Sequence, residues 1–221
     1  MRQFYKVLQK WQTLSAKLSW SHYCEILWFN DNEFLYYVKL VESNNLSVRQ
    51  LREKIKSREY ERLPEGTKNR LISKRTNNIT DFVKNSIIVR TSEDYEIISE
   101  KTLQNLIMEN LELFLEELGN SFTFLKREYP IKLGNRYNYI DLLLYNIKYK
   151  CYVVIELKTS ELKKEHIGQI QIYMNYIDEH VKAVEESRTV GIIICQQDNQ
   201  YIIKYCTDER IIAREYELVK F

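Results

Sequence analysis

The sequence has few of the features that mark secreted, membrane-spanning and zinc-binding proteins. It has only 3 histidines, and its 4 cysteines include no C-x-x-C pair, so we expect a reducing compartment and no zinc site. No apolar run approaches the roughly 20 residues that cross a bilayer. The first residues also lack the apolar core of a secretory signal. These absences predict a cytoplasmic protein with no membrane partner.

What remains is the composition of a globular protein. The chain has 221 residues, 44% of them hydrophobic and 29% charged, which suits one substantial domain or two small ones. The formal net charge of +2 conceals an asymmetry, because Lys and Arg are in excess over the first 90 residues and Asp and Glu over the remainder. The basic part suggests an anionic partner, and the acidic part could gather carboxylates around a cation. Two solvated surfaces of opposite charge are the alternative.

Hydrophobic periodicity divides the chain into three parts. Apolar residues recur at three- and four-residue steps through residues 1–62, which predicts a helical region. Residues 63–95 are polar with weak periodicity, and we predict that they form a linker. From 96 to 221 the pattern predicts a helix, three strands, a helix and two further strands, the last at 201–205. This order is typical of an α/β or α+β domain with a mixed sheet.

The third predicted helix of the first part, over 47–60, has two contrasting faces. Arg49, Arg52 and Lys56 lie on one face and could contact the phosphates of a nucleic acid. The other face is apolar and could instead join copies of the chain into a homo-oligomer. The apolar residues are Val48, Leu51 and Ile55.

Two acids interrupt apolar strands in the last part of the chain. If residues 147–150 form the turn between these strands, Asp141 lies directly opposite Glu156, with Cβ atoms about 5 Å apart. Two carboxylates at that distance repel each other, and burial strengthens the repulsion. A divalent cation would offset it, since Mg²⁺ binds carboxylate oxygens. The alternative is pairing with a cation at an exposed sheet edge, for which Lys158 is available.

Lys158 lies two residues beyond Glu156 and therefore on the same face of the strand. There an ammonium group could hold an attacking water or stabilise negative charge on phosphorus. A metal ion in the same place polarises a phosphoryl group and lowers the pKa of bound water. The combination suits hydrolysis of a phosphodiester bond.

These residues resemble the PD-(D/E)XK nuclease superfamily, whose pattern is an acid on one strand and E-x-K on the next. The chain has the acid at Asp141 and E-x-K at 156–158, with Ile140 in place of the family's proline. Gln169 and Tyr173 match the Q-x-x-x-Y helix motif of the RecB-like branch. Four residues apart, these two side chains share one helix face.

Nearly the whole chain resembles the YhcG-like family of bacterial PD-(D/E)XK nuclease-domain proteins. The resemblance implies a restriction-endonuclease-like core after an N-terminal helical region. Because the helical part of such proteins begins further upstream, this chain is expected to be short at its N-terminus, with DNA binding or assembly impaired. The matching stretches are LSWSHYCEIL, SVRQLREKI, LGNSFTFLKREYPI, YIDLLLYN and GQIQIYMNY.

The resemblance also implies roles for single residues. Asp141, Glu156 and the carbonyl of Leu157 would hold Mg²⁺ or Mn²⁺. Lys158 would orient water or stabilise charge. The supporting residues on the following helix would be Gln169 and Tyr173.

The superfamily often adds an acid from its first core helix, which residues 99–110 match. We predict that Glu109 is this third metal-linked carboxylate, with Glu100 as the alternative. Gln104 stands where relatives tend to have Glu. His166 could reach the site or a phosphate, and a surface role is its alternative.

The expected function is therefore metal-dependent hydrolysis of DNA. One alternative is a catalytically silent module that binds nucleic acid through a nuclease fold. Another is an oligomeric scaffold assembled through the N-terminal helices.

Overall fold

The computed structural model describes residues 18–65, 67–68, 79, 83–119, 121–206 and 208–221. The chain divides into two compact units, Met1–Asp81 and Phe82–Phe221. The part of the predicted helical region before residue 18 lies outside the described residues. Among the helices in these ranges, none combines the length and the apolar character needed to cross a bilayer.

The described part of the first unit is helical. Ser47 caps the third of its helices by accepting the backbone N–H of Gln50. Leu51 is fully buried in the core of this unit, and Ile55 packs against the same cluster. Leu51 therefore stabilises the unit itself, whereas Ile55 and Val48 are partly exposed and the predicted oligomer surface stays a prediction. The helices are α1 (Trp20–Ile26), α2 (Asp31–Asn44) and α3 (Val48–Lys56).

The second unit combines helices with a sheet of order β1-β6-β5-β4-β3-β2, which confirms the predicted α/β class with a mixed sheet. Strands β2, β3 and β4 are antiparallel neighbours, whereas β4, β5, β6 and β1 run parallel. The strands are β1 (Ile87–Thr91), β2 (Phe122–Leu133), β3 (Arg136–Asn146), β4 (Cys151–Leu157), β5 (Val190–Cys195) and β6 (Ile211–Lys220). The helices are α4 (Glu100–Glu109), α5 (Leu111–Leu118), α6 (Lys164–His180) and α7 (Gln200–Lys204).

The centre of this sheet is buried on both faces. Every residue of β5 is buried, as are nearly all residues of β4, which is typical of parallel strands covered by helices. Helix α6 packs against β4 and β5 through Ile170, Met174 and Ile177. It comes so close to Gly191 of β5 that a Cβ there would lie 2.5 Å from the sulfur of Met174.

Strand β1 lies inside the segment that was predicted as a linker. Its residues alternate between buried and half-buried positions, with Ile87 and Val89 inside, and it pairs in parallel with β6. Five residues give too short a pattern to separate a strand from polar surroundings by periodicity. The sheet therefore begins before residue 96.

The predicted last strand, at 201–205, is wrong. Residues Gln200–Lys204 form α7, whose first turn is capped by the side chain of Asn199 accepting the N–H of Ile202. The true last strand is β6, at Ile211–Lys220. A short apolar run is compatible with either a strand or a helix, and here the Asn199 cap favours the helix.

Candidate active site

The β3–β4 hairpin brings the two interrupting acids together. Leu142 pairs with Ile155, and the pairing continues to Asn146 with Cys151, which confirms the predicted register. Extended by one residue, this register places Asp141 opposite Glu156. The Oδ2 atom of Asp141 accepts the backbone N–H of Leu157 at 2.7 Å, which fixes the carboxylate against the end of β4.

Glu156 is a buried acid with one oxygen unpartnered. Its side chain is 2% exposed, and Oε1 lies 2.9 Å from Nζ of Lys158. The other oxygen, Oε2, is buried and has no hydrogen-bond partner among the residues that the structure describes. Burial, and then the charge of Asp141, raise the pKa of Glu156 to about 7 despite the adjacent Lys158. This position differs from an exposed edge pair, because half of the carboxylate remains unsatisfied.

Asp141 lies in the same electrostatic environment. Burial raises the pKa of its carboxyl, and the charges of Glu100 and Glu128 add to the effect. The Leu157 N–H and the charge of Lys158 oppose it without reversing it. The site therefore concentrates more negative charge than its own lysine neutralises.

Lys158 sits between two of these acids. Its Nζ lies 2.9 Å from Glu156 and 3.4 Å from Oε2 of Glu100. Burial lowers the pKa of Lys158, but Glu156, Glu100 and Asp141 outweigh burial and leave the pKa raised. The side chain is therefore a stable ammonium beside the two opposed carboxylates.

The acid that α4 contributes to this group is Glu100, and the prediction of Glu109 is not supported. Glu100 is the first residue of α4 and reaches Lys158. Glu109 is nine residues further on, about 13 Å along the helix axis, where its charge acts on Tyr95. The sequence places both acids on one helix, but only packing decides which end of the helix lies at the site.

Gln104 holds the backbone beside Asp141. This buried side chain donates from Nε2 to the carbonyl of Asp141 at 3.1 Å. Its Oε1 accepts from Nε of Arg127 at 2.9 Å. From the sequence, Gln104 was noted only because relatives tend to have Glu at this position. In the structure its side chain holds the backbone of Asp141 in place.

Glu128 is a neighbour of the site that sequence reasoning missed. The pairs Arg127 with Leu142 and Tyr129 with Ile140 bracket it, so Glu128 lies across from Asp141. Its backbone is left-handed, with φ of 49°, and its side chain pairs with Lys101 at 2.9 Å. The predicted turn at Gly134-Asn135 already implies this register and could have found it.

The Q-x-x-x-Y residues lie together on α6. Nε2 of Gln169 donates to the hydroxyl of Tyr173 at 2.9 Å. Burial raises the pKa of Tyr173, the bond from Gln169 lowers it, and the charges of Glu156 and Asp141 raise it again. For His166, burial and the charges of Lys158 and Lys163 lower the pKa. The charges of the site therefore act on both Tyr173 and His166.

The predicted nucleic-acid contacts are exposed on α3 of the first unit. Nη2 of Arg52 lies 2.8 Å from Oε1 of Glu25, and Nε of Arg49 lies 3.4 Å from Oε1 of Glu53. Lys56 is exposed as well. All three can reach solvent, and their role in binding remains a prediction.

The donors at the site fit a magnesium-like ion better than zinc. In the described part of the chain, no three His, Cys, Asp or Glu side chains converge as a metal site. Mg²⁺, however, is commonly bound by one or two carboxylates and keeps several waters. The unpartnered Oε2 of Glu156, opposite Asp141, offers that kind of donor set.

Two family models match regions of the chain. Residues 80–220 match the YhcG PDDEXK nuclease domain, and residues 1–62 match the DUF1016 N-terminal domain. The chain belongs to the YhcG PDDEXK nuclease domain family. This confirms the resemblance that the motifs indicated.

Similar proteins come from bacteria and archaea. The chain is 26% identical to "Putative nuclease YhcG" of Escherichia coli (strain K12), over 94% of this chain and 59% of that protein. It thus spans about three-fifths of the length of this curated relative. A repair endonuclease from Pyrococcus abyssi is 24% identical over 58% of this chain and 50% of that chain, with a TM-score of 0.39. A complex of EndoMS with dsDNA is 21% identical over 58% and 49%, also with a TM-score of 0.39. The family assignment rests on the matched domains and not on these two structures.

Proposed function

We propose that this chain is a metal-dependent nuclease that hydrolyses phosphodiester bonds in DNA. The observation that carries the proposal is Glu156, buried opposite Asp141 with one oxygen unpartnered and Lys158 beside it. This arrangement occurs in a domain of a nuclease family. We place the nuclease domain after the helical region 1–62, with β1 as part of it.

Asp141 and Glu156 would hold the ion, Mg²⁺ or Mn²⁺, with the carbonyl of Leu157 as a further ligand. When bound, the ion polarises the phosphoryl group and lowers the pKa of water. Both acids must be ionised to bind it, so the ion competes with protons whose binding burial favours, and metal binding should strengthen as the pH rises.

The other residues would orient the reaction. Lys158, held protonated by Glu156 and Glu100, would position the attacking water or stabilise negative charge on the phosphorus. Gln169 holds the hydroxyl of Tyr173, on which the charges of Glu156 and Asp141 act. Gln104 holds the strand at Asp141, so that the carboxylate keeps its place.

In the first unit, Arg49, Arg52 and Lys56 would contact the phosphates of the substrate, because arginine and lysine bind phosphate without regard to base sequence. DNA is the substrate we infer from the family resemblance. An RNA substrate would appear in the same assay as cleavage of RNA alone.

The test is a cleavage assay with the full chain on single-stranded DNA, duplex DNA and RNA, in Mg²⁺, Mn²⁺ or EDTA. Glu156→Gln and Lys158→Met should each lower the rate by at least about 100-fold, as loss of a charge-stabilising group does. Glu112→Gln, at an exposed position on α5, is the matched control. Cleavage in EDTA, or full activity of Glu156→Gln, would exclude the proposal.

A second readout does not depend on turnover. Titration calorimetry should detect Mn²⁺ binding by the wild type and loss of that binding in Glu156→Gln. DNA binding without cleavage, together with Mn²⁺ uptake, would favour the silent binding module. A stable oligomer that binds neither DNA nor Mn²⁺ would favour the scaffold.

A further inference from the structure

The tip of the β2–β3 hairpin carries two exposed tyrosines next to the proposed site. We call residues 129–139, which surround the turn at Gly134-Asn135, the hairpin arm. Tyr137 and Tyr139 are 64% and 55% exposed. Side chains alternate along a strand, so both tyrosines lie on the same face of β3 as Asp141. At about 3.4 Å per residue, Tyr139 is about 7 Å and Tyr137 about 14 Å from Asp141 along the strand.

The arm is also basic. Lys132 pairs across the hairpin with Tyr137, and Arg136 is exposed beside the turn. No acid occurs in the sequence between Glu128 and Asp141. Tyr139 and Tyr137 therefore follow Asp141 along one face of β3, and Lys132 of β2 lies opposite Tyr137 on that face. Arg136 lies on the other face, next to the turn.

The opposite side of the arm is anchored in the core. Ile131 of the arm and Ile140, which directly follows it, are 1% and 0% exposed and belong to the main hydrophobic cluster of the unit. Tyr137 and Tyr139 precede Leu142, where the pairing of β3 with β4 begins. The rings are therefore presented by a strand that packing holds in place.

We propose that the hairpin arm is a stacking platform for unpaired bases of single-stranded DNA next to the phosphate that is cut. This inference rests on the nuclease function proposed above and names its substrate class. Bases stack on exposed aromatic rings whatever their sequence, while nearby cations follow the phosphates. The backbone positions of the two tyrosines are about 7 Å apart along β3, twice the 3.4 Å between stacked bases of a duplex strand. A duplex hides its base faces, whereas an extended single strand can offer one base to each ring.

The test measures binding separately from cleavage. The probe is a single-stranded oligonucleotide containing 2-aminopurine, whose fluorescence falls on stacking, in Ca²⁺ instead of Mg²⁺. The double variant Tyr137→Leu/Tyr139→Leu should bind this probe at least about tenfold more weakly than the wild type, with less quenching. A duplex of the same sequence should bind both proteins with affinities within about twofold.

Two controls isolate the stacking. Tyr137→Phe/Tyr139→Phe keeps both rings and should bind the single strand like the wild type. Tyr205→Leu, at a tyrosine that is 76% exposed and directly follows α7, should have no effect. Thermal melting should give the Leu and Phe double variants the same midpoint within a few degrees.

The outcomes separate the two proposals. Unchanged single-strand binding by the Leu double variant overturns the platform, as does equal loss of single-strand and duplex binding or failure of the wild type to bind the probe. If the wild type cleaves DNA while the platform fails, the nuclease function stands alone. If stacking is lost as expected but no protein cleaves, the platform stands as a binding site and the nuclease function is excluded.

Discussion

At the scale of single residues, Glu156 combines deep burial with an unsatisfied oxygen. Its pKa of about 7 lies above the ordinary value of 4.5, because burial and the charge of Asp141 disfavour ionisation. Between about pH 4.5 and 7 the folded protein therefore keeps a proton that the unfolded chain releases. The contribution of this proton to the free energy of unfolding is fully present below about pH 4.5 and is lost as the pH rises through about 7.

The substitution Glu156→Gln removes this titration. In EDTA, we expect the melting temperature of the wild type to fall relative to that of Glu156→Gln by roughly 3–8 °C between pH 5 and pH 8. Differential scanning fluorimetry over a pH series measures this difference. Parallel profiles for the two proteins would show that Glu156 does not titrate there.

Glu100 and Glu109 offer a matched pair on one helix. We expect Glu100→Gln to lower the cleavage rate by about 10- to 100-fold, since Glu100 contacts Lys158. Glu109→Gln, made at the far end of α4, should stay within about twofold of the wild type. Steady-state kinetics of both variants measures the difference. A larger loss of rate in Glu109→Gln than in Glu100→Gln would support the role predicted for Glu109 from the sequence.

The sequence indicated the central residues but not their surroundings. Asp141, Glu156 and Lys158 follow from strand spacing, and Gln169 and Tyr173 are implied by the resemblance to a family motif. Both kinds of signal are short and local in the sequence. The contacts of Glu100, Gln104 and Glu128 depend instead on how α4 and β2 pack beside β3. Packing of separate elements is not encoded in any single short pattern.

At the scale of elements, α6 depends on a glycine in the strand below it. A Cβ at Gly191 would meet Met174 at 2.5 Å and Ile170 at 3.0 Å, so the helix would have to move. We expect Gly191→Ala to lower the free energy of unfolding by about 1–3 kcal/mol, as overpacking does. Urea denaturation measures the loss.

Gly168 is the control within the same helix. A Cβ there meets nothing within 4 Å, and Ala is the better helix former. Gly168→Ala should therefore leave the free energy of unfolding unchanged or raise it by up to about 1 kcal/mol. Equal losses of unfolding free energy for both substitutions would mean that the close approach of α6 to β5 does not cause the destabilisation by Gly191→Ala.

The β3–β4 hairpin was predictable from the sequence, whereas β1, α7 and β6 were not. The β3–β4 register follows from the turn between two apolar strands. Strand β1 has only five residues, and α7 has an apolar run that suits either structure. The secondary structure of such segments depends on the element that they pack against. For β1 this element is β6, more than a hundred residues away in the sequence.

At the scale of the whole molecule, the basic first unit predicts salt-dependent binding. Each phosphate contact contributes about 0.9 to the slope of log affinity against log salt for duplex DNA. Arg49→Gln/Lys56→Gln should therefore weaken duplex binding and reduce this slope by about 2. Fluorescence anisotropy at several salt concentrations measures it.

Lys39→Gln, at an exposed position on α2, is the matched control for one lost charge. It should leave the slope within about 0.3 of the wild type. If the double variant keeps the full slope, then α3 does not contact the phosphates.

The position of β6 has a consequence for assembly. This strand comes last among the strands in the chain, yet it lies between β5 and β1. During synthesis β1 has no pairing partner until nearly all of the second unit has been translated. Contacts of such sequence separation form slowly. Pulse-labelling hydrogen exchange during refolding should therefore find the amides of β1 protected later than those of the β3–β4 hairpin.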